Sequence, residues 1–343
     1  MNAFERERYS RQILFAGIGA QGQERLLGAS AVVVGCGAMG TAVASLLVRA
    51  GIGRLRLIDR DFVEASNLQR QTLYEESDAQ ENLPKAVAAE RRLRAINSSA
   101  RIESIVADLT SNNGRDLLSG FPLILDGTDN FETRLLINDA AIALGTPWIY
   151  AAAVGSAGVT MTILPGDTAC LACLLESDES PAGAAEETCD TSGILNSAVS
   201  VIASIEATEA IKILLGKCEQ LHGRVISFDV WKTSYRAIRV ARNPECRACV
   251  RHEFRYLEGE VQPRVTMCGR DSVQIHERSR DLDLAELSQR LAATASEVRG
   301  NNFLLRFRVN SYEITVFPDG RAIFKGTRDP AVARSLYARF IGA

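Results

Sequence analysis

Histidine is scarce in this sequence, with three in 343 residues, and none of the three lies in a motif that suggests catalysis. Long runs of like charge are missing too, and 39 basic against 42 acidic residues leave a formal net charge of −3. Proteins that bind nucleic acid or an anionic membrane surface usually carry clustered positive charge. We therefore expect neither partner, and we expect chemistry that does not depend on a histidine.

An uninterrupted apolar segment and an apolar leader are also missing. The longest uncharged stretch, residues 140–166, is long enough to cross a bilayer, but several glycines and Pro147 interrupt it. Residues 1–11 carry five charges, unlike the basic and apolar pattern of a secretion signal. The sequence therefore predicts buried strands in place of a membrane span, and a cytoplasmic location.

The composition is that of a folded protein, with 46% hydrophobic and 24% charged residues. The chain is longer than one ordinary domain. We expect one large domain over residues 1–256, whose first 28 residues form a helical arm. A linker over residues 257–270 and a small α+β domain over residues 271–343 complete the predicted organisation.

A glycine-rich turn joins the first predicted strand to a helix. Strand Ala31–Gly35 runs into Gly35-Cys-Gly-Ala-Met-Gly40, helix Thr41–Ala50 follows, and a second strand covers Arg54–Asp59. Such a turn brings backbone N–H groups close to phosphates at a helix N-terminus, while an acid after the second strand holds a ribose hydroxyl. The pattern therefore predicts a nucleotide site that includes Asp59, although glycines also serve tight packing alone.

Strands and helices continue to alternate after this unit. The predicted elements are helix 84–97, strand 101–106, strand 121–126, helix 131–144, strand 148–153, and then strands 159–164, 224–230 and 235–240 around a long helix over 195–215. Alternation is typical of a doubly wound, mainly parallel (Rossmann-like) α/β sheet, and the last three strands favour an antiparallel meander. The long helix is apolar on most faces, which indicates either core alone or core plus a subunit interface.

The tail has a different pattern of strand, helix, strand, hairpin and helix. Residues 303–309 alternate with period two, Asp319-Gly320 is typical of a hairpin turn, and Asp329-Pro330 is typical of a helix start. The last helix should bury a stripe of Val332, Leu336 and Phe340.

Eight cysteines raise the question of metal binding, because a reducing compartment disfavours disulfides. Four of them form two C-x-x-C pairs, Cys170/Cys173 and Cys246/Cys249. Four thiolates close a tetrahedron around zinc and leave no position open for a substrate. We therefore predict a structural zinc site; a redox pair and unliganded thiols are the alternatives.

Polar residues follow several of the predicted strands. Arg70 follows the second strand, Lys85 opens the next helix, and Asp129 follows the strand 121–126. In a doubly wound sheet these positions converge on one crevice, where Arg70 and Lys85 would neutralise a triphosphate, Asp129 would hold magnesium and Asp59 the ribose. The alternative is that both cations are solvated at the surface and that Asp129 caps the helix 131–144.

Several ordered motifs together resemble one family. They are Arg8-Tyr-Ser-Arg11-Gln12-Ile13, the glycine turn, Asp59-Arg-Asp61, Ser66-Asn-Leu-Gln-Arg70-Gln71, Pro84-Lys85, Thr128-Asp129-Asn130 and the two C-x-x-C pairs. In this order they resemble the MoeB/ThiF/HesA proteins, relatives of the ubiquitin-activating enzymes. The resemblance covers residues 5–255. It implies magnesium-dependent use of ATP to adenylate the C-terminal glycine of a ubiquitin-like sulfur-carrier protein that ends in Gly-Gly, with release of pyrophosphate.

The resemblance also implies roles for individual residues. It gives Asp59 the ribose, Asn67 and Arg70 the phosphates, Lys85 the β- and γ-phosphates, and Asp129 the magnesium ion. Arg11 matches an arginine that reaches the nucleotide of the partner subunit, which implies a homodimer. The same motifs place further positions around the nucleotide, namely Gly35, Gly37, Ala38, Gly40, Asp61, Ser66, Leu68, Gln69 and Asn130.

Cys189 matches a cysteine that in relatives can form a covalent link with the activated carrier. A thiol on a polar loop near a helix start can be activated as thiolate, while a bystander thiol is the alternative. Two positions depart from the family pattern. Ala38 replaces a common glycine, and Asn82 stands before Pro84-Lys85 where relatives often have glycine.

The tail is too short for the sulfur-supplying rhodanese domain of longer relatives, so a separate sulfur donor is expected. Arg306 and Arg308 on its alternating strand are candidates for docking a carrier or a sulfur donor; a solvated strand face is the alternative. For the whole chain, the rival interpretations are a non-catalytic, zinc-stabilised carrier-binding module and a nicotinamide-dependent oxidoreductase, which would use the same glycine turn and Asp59.

Overall fold

The computed structural model of this chain describes residues 1–175, 192–261, 272–275 and 282–342. The chain divides into two compact units, Met1–Val261 and Gln262–Ala343. The 1–256, 257–270 and 271–343 boundaries inferred from composition remain a prediction. Within the described residues no helix combines the length and the apolar character that crossing a membrane requires.

The larger unit is built on one eight-stranded sheet. Its strands are β1 (Ser30–Val34), β2 (Arg54–Ile58), β3 (Arg101–Ile105), β4 (Ile124–Asp126), β5 (Trp148–Val154), β6 (Ala157–Ile163), β7 (Val225–Asp229) and β8 (Ser234–Ile238). Their spatial order is β3-β2-β1-β4-β5-β6-β7-β8. The first five strands of this order pair in parallel, and β5 to β8 pair antiparallel. The sheet is therefore a mixed α/β sheet, which confirms this part of the fold prediction.

Ten helices accompany this sheet in the described residues. They are α1 (Ala3–Arg8), α2 (Ser10–Ile13), α3 (Gly19–Gly28), α4 (Ala38–Ala50), α5 (Glu76–Gln80), α6 (Lys85–Ile96), α7 (Gly114–Leu118), α8 (Phe131–Leu144), α9 (Leu171–Leu175) and α10 (Asn196–Leu214). The amino-terminal arm is thus three short helices. Two short 3-10 turns, Ala65–Asn67 and Cys218–Gln220, complete the set.

Strand β1 occupies the centre of the parallel part and is buried along residues 31–34. A run of apolar residues without polar alternation suits this place, because helices cover both faces of a parallel sheet. From β1 the chain first adds β2 and β3 on one side and then β4 and β5 on the other. The carboxyl ends of β1 and β4 therefore border the crevice where doubly wound proteins bind ligands.

The long helix α10 packs against α4, β5 and β6. Its buried face includes two carboxylates, Glu206 and Glu209. Its exposed face carries Ser200, Ser204 and Thr208, whose hydroxyls bond to carbonyls one turn back. The helix therefore contributes to the core, and charged side chains contribute to its buried face, which its apolar composition did not indicate.

In its described residues, the smaller unit contains a five-stranded antiparallel sheet and two helices. Its elements are β9 (Ser272–Ile275), α11 (Leu284–Leu291), β10 (Ser296–Gly300), β11 (Leu305–Val309), β12 (Tyr312–Val316), β13 (Ala322–Lys325) and α12 (Pro330–Phe340), with strand order β10-β11-β12-β13-β9. Gly320, at a φ of 83°, turns the chain between β12 and β13, and Asp329 caps α12.

Two details of the tail prediction were wrong. The fully buried stripe of α12 is Ala333, Tyr337 and Phe340, with Val332 and Leu336 only partly buried. Leu304 is buried as well, because the strand begins two residues later than expected, at Leu305, and the alternation does not extend back to Leu304.

Candidate active site

The glycine turn is a close contact between the ends of β1 and β4. Gly35 has a φ of 89°, a left-handed conformation that favours glycine. A Cβ added to Gly40 would lie 1.8 Å from the Gly35 carbonyl oxygen, and one added to Gly127 would lie 2.3 Å from the same atom. Three glycines are therefore required for packing at this point. Ala38 is the first residue of α4, an ordinary helix start, so the departure from the family glycine is tolerated.

Asp59 lies just after β2 and holds this turn in place. Its Oδ2 accepts a hydrogen bond from the Cys36 backbone N–H at 2.5 Å, and its Oδ1 accepts one from the Asp61 N–H at 2.6 Å. Burial raises the pKa of Asp59, Lys85 opposes that rise and Asp61 adds to it. The carboxylate thus fixes the backbone of the glycine turn, and each oxygen retains a lone pair for a further donor.

Lys85 lies beside the glycine turn as the first residue of α6. Its Nζ is 3.0 Å from Asp61 Oδ2, and its backbone N–H donates to the Asp61 carbonyl. Burial lowers the pKa of Lys85, but Asp61, Asp59 and Asp129 outweigh burial and raise it overall. The side chain is therefore a permanent cation, although it is almost completely buried.

Asn82 stands before Pro84-Lys85 where relatives often have glycine, and its backbone conformation allows Lys85 to reach this position. Its φ is 49°, in the left-handed region that glycine adopts freely and that asparagine tolerates better than most residues. The chain therefore makes the same turn with Asn82 and returns to start α6 at Lys85.

The segment after β2 is held mainly by its own backbone. Asn67 is buried and its Oδ1 accepts from the Glu64 N–H. Arg70 is half-buried, and its Nη1 donates to the Ser66 carbonyl at 2.9 Å. Leu68 packs against the core, while Ser66 and Gln69 are exposed. Arg70 is the cation of this segment, and no interaction with Lys85, Asp61 or Asp129 is among its described contacts.

The loop after β4 presents one exposed and one buried aspartate. Asp126 is fully buried; its Oδ1 accepts from the N–H and the hydroxyl of Thr128, and its Oδ2 lies 3.3 Å from Arg134 Nε. Asp129 is exposed. The residue that caps α8 is Asn130, whose Oδ1 accepts from the Thr133 N–H. The alternative that Asp129 serves as the helix cap is therefore wrong. The side-chain oxygen of Asn130 is the cap and is already hydrogen-bonded.

The predicted site residues are brought together only in part. Asp59, Asp61 and Lys85 form one hydrogen-bonded cluster, and Asp129 lies within its electrostatic reach. Arg11 lies apart: the neighbouring Gln12 bonds to the Ala50 carbonyl at the far end of α4, about 20 Å along the helix from the glycine turn. Cys189 lies outside the described residues.

Sequence reasoning missed residues beneath the site. Glu206 of α10 is fully buried and its Oε1 accepts from the Asp126 N–H. Burial and Asp126 raise the pKa of Glu206 well above its usual value, which favours the neutral form of this carboxyl. Arg134 supports the same loop from α8 by donating to the Thr128 carbonyl. No local sequence signal marks Glu206, because its contact with Asp126 joins segments distant in the sequence.

The four cysteines of the two C-x-x-C pairs form one buried cluster. Their sulfurs lie within 4.8 Å of one another, with separations of 3.9 Å for Cys170–Cys173, 3.6 Å for Cys170–Cys246 and 3.5 Å for Cys173–Cys249. A tetrahedral zinc with Zn–S bonds of about 2.3 Å separates its sulfurs by roughly 3.8 Å, whereas a disulfide needs about 2 Å. The donor set and its spacing therefore fit a structural zinc.

Helix α8 anchors both cysteine pairs. Asn138 Oδ1 accepts from the Leu171 N–H, inside the first pair, and Asp139 Oδ1 accepts from Arg247 Nη1 at 2.9 Å, inside the second. Both side chains are fully buried. The cysteine cluster is therefore tied to the helix whose first turn follows Asp129.

A doubly wound sheet whose glycine turn, carboxylates and buried lysine meet at the carboxyl ends of parallel strands defines a nucleotide-binding α/β protein. The chain belongs to the ThiF family, whose model matches residues 9–248. The family that the ordered motifs predicted is thereby confirmed.

Two curated relatives and one solved structure show how far the similarity extends. The sulfur carrier protein ThiS adenylyltransferase of Bacillus subtilis is 46% identical over 98% of this chain and 99% of its own. The sulfur carrier protein adenylyltransferase of Thermus thermophilus is 40% identical over 71% of this chain and 91% of its own. The crystal structure of Escherichia coli MccB with ATP superposes with a TM-score of 0.60 at 26% identity, over 71% of this chain and 74% of MccB.

Proposed function

We propose that this chain is an enzyme that uses ATP to adenylate the C-terminal glycine of a ubiquitin-like sulfur-carrier protein, with release of pyrophosphate. The observation that carries the proposal is the cluster of Asp59, Asp61 and Lys85 beside the glycine turn. Membership of the ThiF family and 46% identity to a carrier-protein adenylyltransferase along almost the whole chain support it.

The residues present fit a bound nucleotide. The glycine turn opens α4 with Gly37 as the N-cap and no side chain bonded to the first N–H groups, which suits a phosphate. Asp59 would hold the ribose, and Asn67, Arg70 and Lys85 the phosphates. ATP supplies an electrophilic α-phosphorus when it is bound. Asp129 would hold magnesium, since its exposed carboxylate oxygens are ligands that this ion prefers.

The chemistry requires no general base, because the carboxylate of a C-terminal glycine is ionised at neutral pH. Lys85 supplies a fixed positive charge that would favour the charge developing on the leaving pyrophosphate. Its bond to Asp61 holds the ammonium in place before the substrates arrive. The protein therefore contributes position and charge, as preorganised electrostatic sites do.

For the four-cysteine cluster we propose a structural zinc ion, which would join residues 170–173 to residues 246–249. Zinc bound by four thiolates has no coordination position for a substrate, so it would stabilise the fold without taking part in adenylation.

A homodimer is proposed for the active state. The amino-terminal arm exposes Phe4, Leu14 and Phe15, each at least 65% accessible, and such large apolar side chains are typical of an interface. Arg11 lies between them in the chain and at the far end of α4 from its own glycine turn. It would therefore serve the nucleotide of the partner subunit.

The smaller unit is proposed to dock the carrier or a separate sulfur donor. The family match ends at residue 248, before this unit begins. Arg306 and Arg308 lie on one face of β11, and both are within 4 Å of Glu313. Lys325 also lies 3.8 Å from Glu313, and Arg308 lies 3.7 Å from Glu297. Three cations against two carboxylates leave this group net positive, which suits an acidic partner.

Carrier-dependent exchange of labelled pyrophosphate into ATP tests the proposed function. We expect exchange with one member of a panel of small proteins that end in Gly-Gly, and none with the same carrier shortened by its last glycine. Exchange that is absent across the panel, with the carrier nevertheless bound, would favour a non-catalytic binding module. Quenching of NADH fluorescence by the protein would favour an oxidoreductase.

A further inference from the structure

Tyr74 joins the two elements that approach the phosphates in the proposed function. Its hydroxyl oxygen lies 2.6 Å from the Cys36 carbonyl oxygen, in the middle of the glycine turn, and 3.2 Å from the Lys85 carbonyl oxygen, in the first turn of α6. The phenol has one proton, so the short bond goes to Cys36 and the longer contact shares that proton. The ring itself is buried in the core beneath both elements.

The hydroxyl closes a circuit of hydrogen bonds around the site. The Cys36 N–H donates to Asp59, Asp59 accepts from the Asp61 N–H, and the Asp61 carbonyl accepts from the Lys85 N–H. The Tyr74 hydroxyl contacts the carbonyl oxygens of both Lys85 and Cys36 and so completes the ring of contacts. The two peptide groups that flank the Cys36 Cα are thus each held, one by a carboxylate at the Cys36 N–H and the other by a phenol at the Cys36 C=O.

The donor role of Tyr74 is secured by its surroundings. Burial raises the pKa of Tyr74 well above its usual value, and nearby Cys36, Asp59, Asp61 and Asp78 raise it further. The phenol therefore keeps its proton at neutral pH. Cys36 is almost fully buried, so water is a poor substitute for the phenol as a donor to its carbonyl.

We infer that Tyr74 is a positioning residue for adenylation, which holds the glycine turn and the Lys85 end of α6 in the relative placement that the ATP phosphates require. This inference rests on the proposed function and deepens it. Tyr74 does not touch the reacting atoms. Loss of its hydroxyl frees the Cys36 carbonyl to rotate, so that the turn and Lys85 no longer face the phosphates together.

The test is Tyr74→Phe, which removes one oxygen and keeps the ring in the core. Tyr337→Phe is the matched control, because the Tyr337 hydroxyl is also buried and also donates to a carbonyl, that of Gly320, at 2.6 Å, in the smaller unit. Both variants lose the same kind of bond at similar burial. A purely structural role would therefore lower the melting temperature of both alike and leave ATP binding unchanged in both.

We expect Tyr74→Phe to weaken magnesium-ATP binding by about tenfold in the full-length protein without carrier, since a buried carbonyl left unpaired weakens an interaction by about this much. The KM for ATP should rise in parallel in pyrophosphate exchange, with a smaller change in kcat, and Tyr337→Phe should retain wild-type values. Equal ATP affinity in the two variants would overturn the inference and leave the proposed function intact. Failure of the wild-type protein to bind ATP would overturn the proposed function, and the inference with it.

Discussion

Removal of one cysteine pair should separate the two chain segments that the proposed zinc joins. The double variant Cys246→Ser/Cys249→Ser deletes the second pair and leaves Cys170 and Cys173, which cannot complete a tetrahedral site. The hydroxyls that replace the thiols are similar in size, so the buried cluster loses little packing. The main effect is therefore loss of the cross-link between residues 173 and 246.

The magnitude follows from the length of chain that the cross-link closes. A cross-link that closes a loop of roughly 70 residues lowers the entropy of the unfolded chain. This stabilises the folded state by about 4 kcal/mol, which the double variant loses. For a unit of this size, each kcal/mol shifts the melting temperature by about 2–4 °C. We therefore expect the variant to melt roughly 8–16 °C below the wild-type protein.

Zinc content by mass spectrometry and thermal unfolding by circular dichroism measure the two consequences. The wild-type protein should carry one zinc ion per chain and the double variant none. Cys218→Ser is the control, since Cys218 is exposed and lies outside the cluster. A wild-type protein without zinc, or a double variant that melts with the control, would refute the reasoning.

Three further predictions concern charge in the larger unit. Lys85→Met should lower pyrophosphate exchange by about 100-fold or more, because a preorganised charge at the leaving group is lost, whereas the exposed Lys232→Met should retain it. Asp129→Asn should raise the magnesium concentration that gives half-maximal exchange by about tenfold, and the exposed Asp167→Asn should leave it unchanged. Burial raises the pKa of Glu206, so the folded state retains a proton that the unfolded state releases above about pH 4.3. The free energy of unfolding should therefore fall as the pH rises above this value. Glu206→Gln should flatten this slope in urea unfolding between pH 5 and 8; an unchanged slope would show that Glu206 is ionised in the folded protein.

The elements near the glycine turn could be predicted from the sequence because their signals are local. Strand β1, the turn and α4 are marked by an apolar run, glycine spacing and helix periodicity within 20 residues. The signal for each cysteine pair is equally local, since each C-x-x-C is a short motif. The contact between the two pairs has no local signal. Only the chemistry of zinc, which takes four thiolates, connected Cys170 to Cys246.

Glu206, which supports the site from below, could not be predicted from the sequence, because its partner is remote in the chain. Glu206 lies 80 positions after Asp126, and nothing near it in the sequence shows that it faces a buried N–H. The alternative that Asp129 caps α8 was wrong for a different reason. Asp129 and Asn130 are adjacent and both residue types favour the N-cap, so composition alone could not decide which of them accepts from Thr133.

The two strand-end loops of the site share one local design, in which a first acid fixes the backbone and a second acid is more exposed. Asp59 and Asp126 each follow or end a parallel strand, and each accepts from the backbone N–H two residues ahead, as in an Asx turn. Each loop then presents a second, more exposed aspartate, Asp61 or Asp129. The first acid of each loop is needed for the backbone path, so its replacement should disturb the loop. The second acid carries the charge that faces Lys85, so its replacement should alter the electrostatics of the site and leave the loop intact.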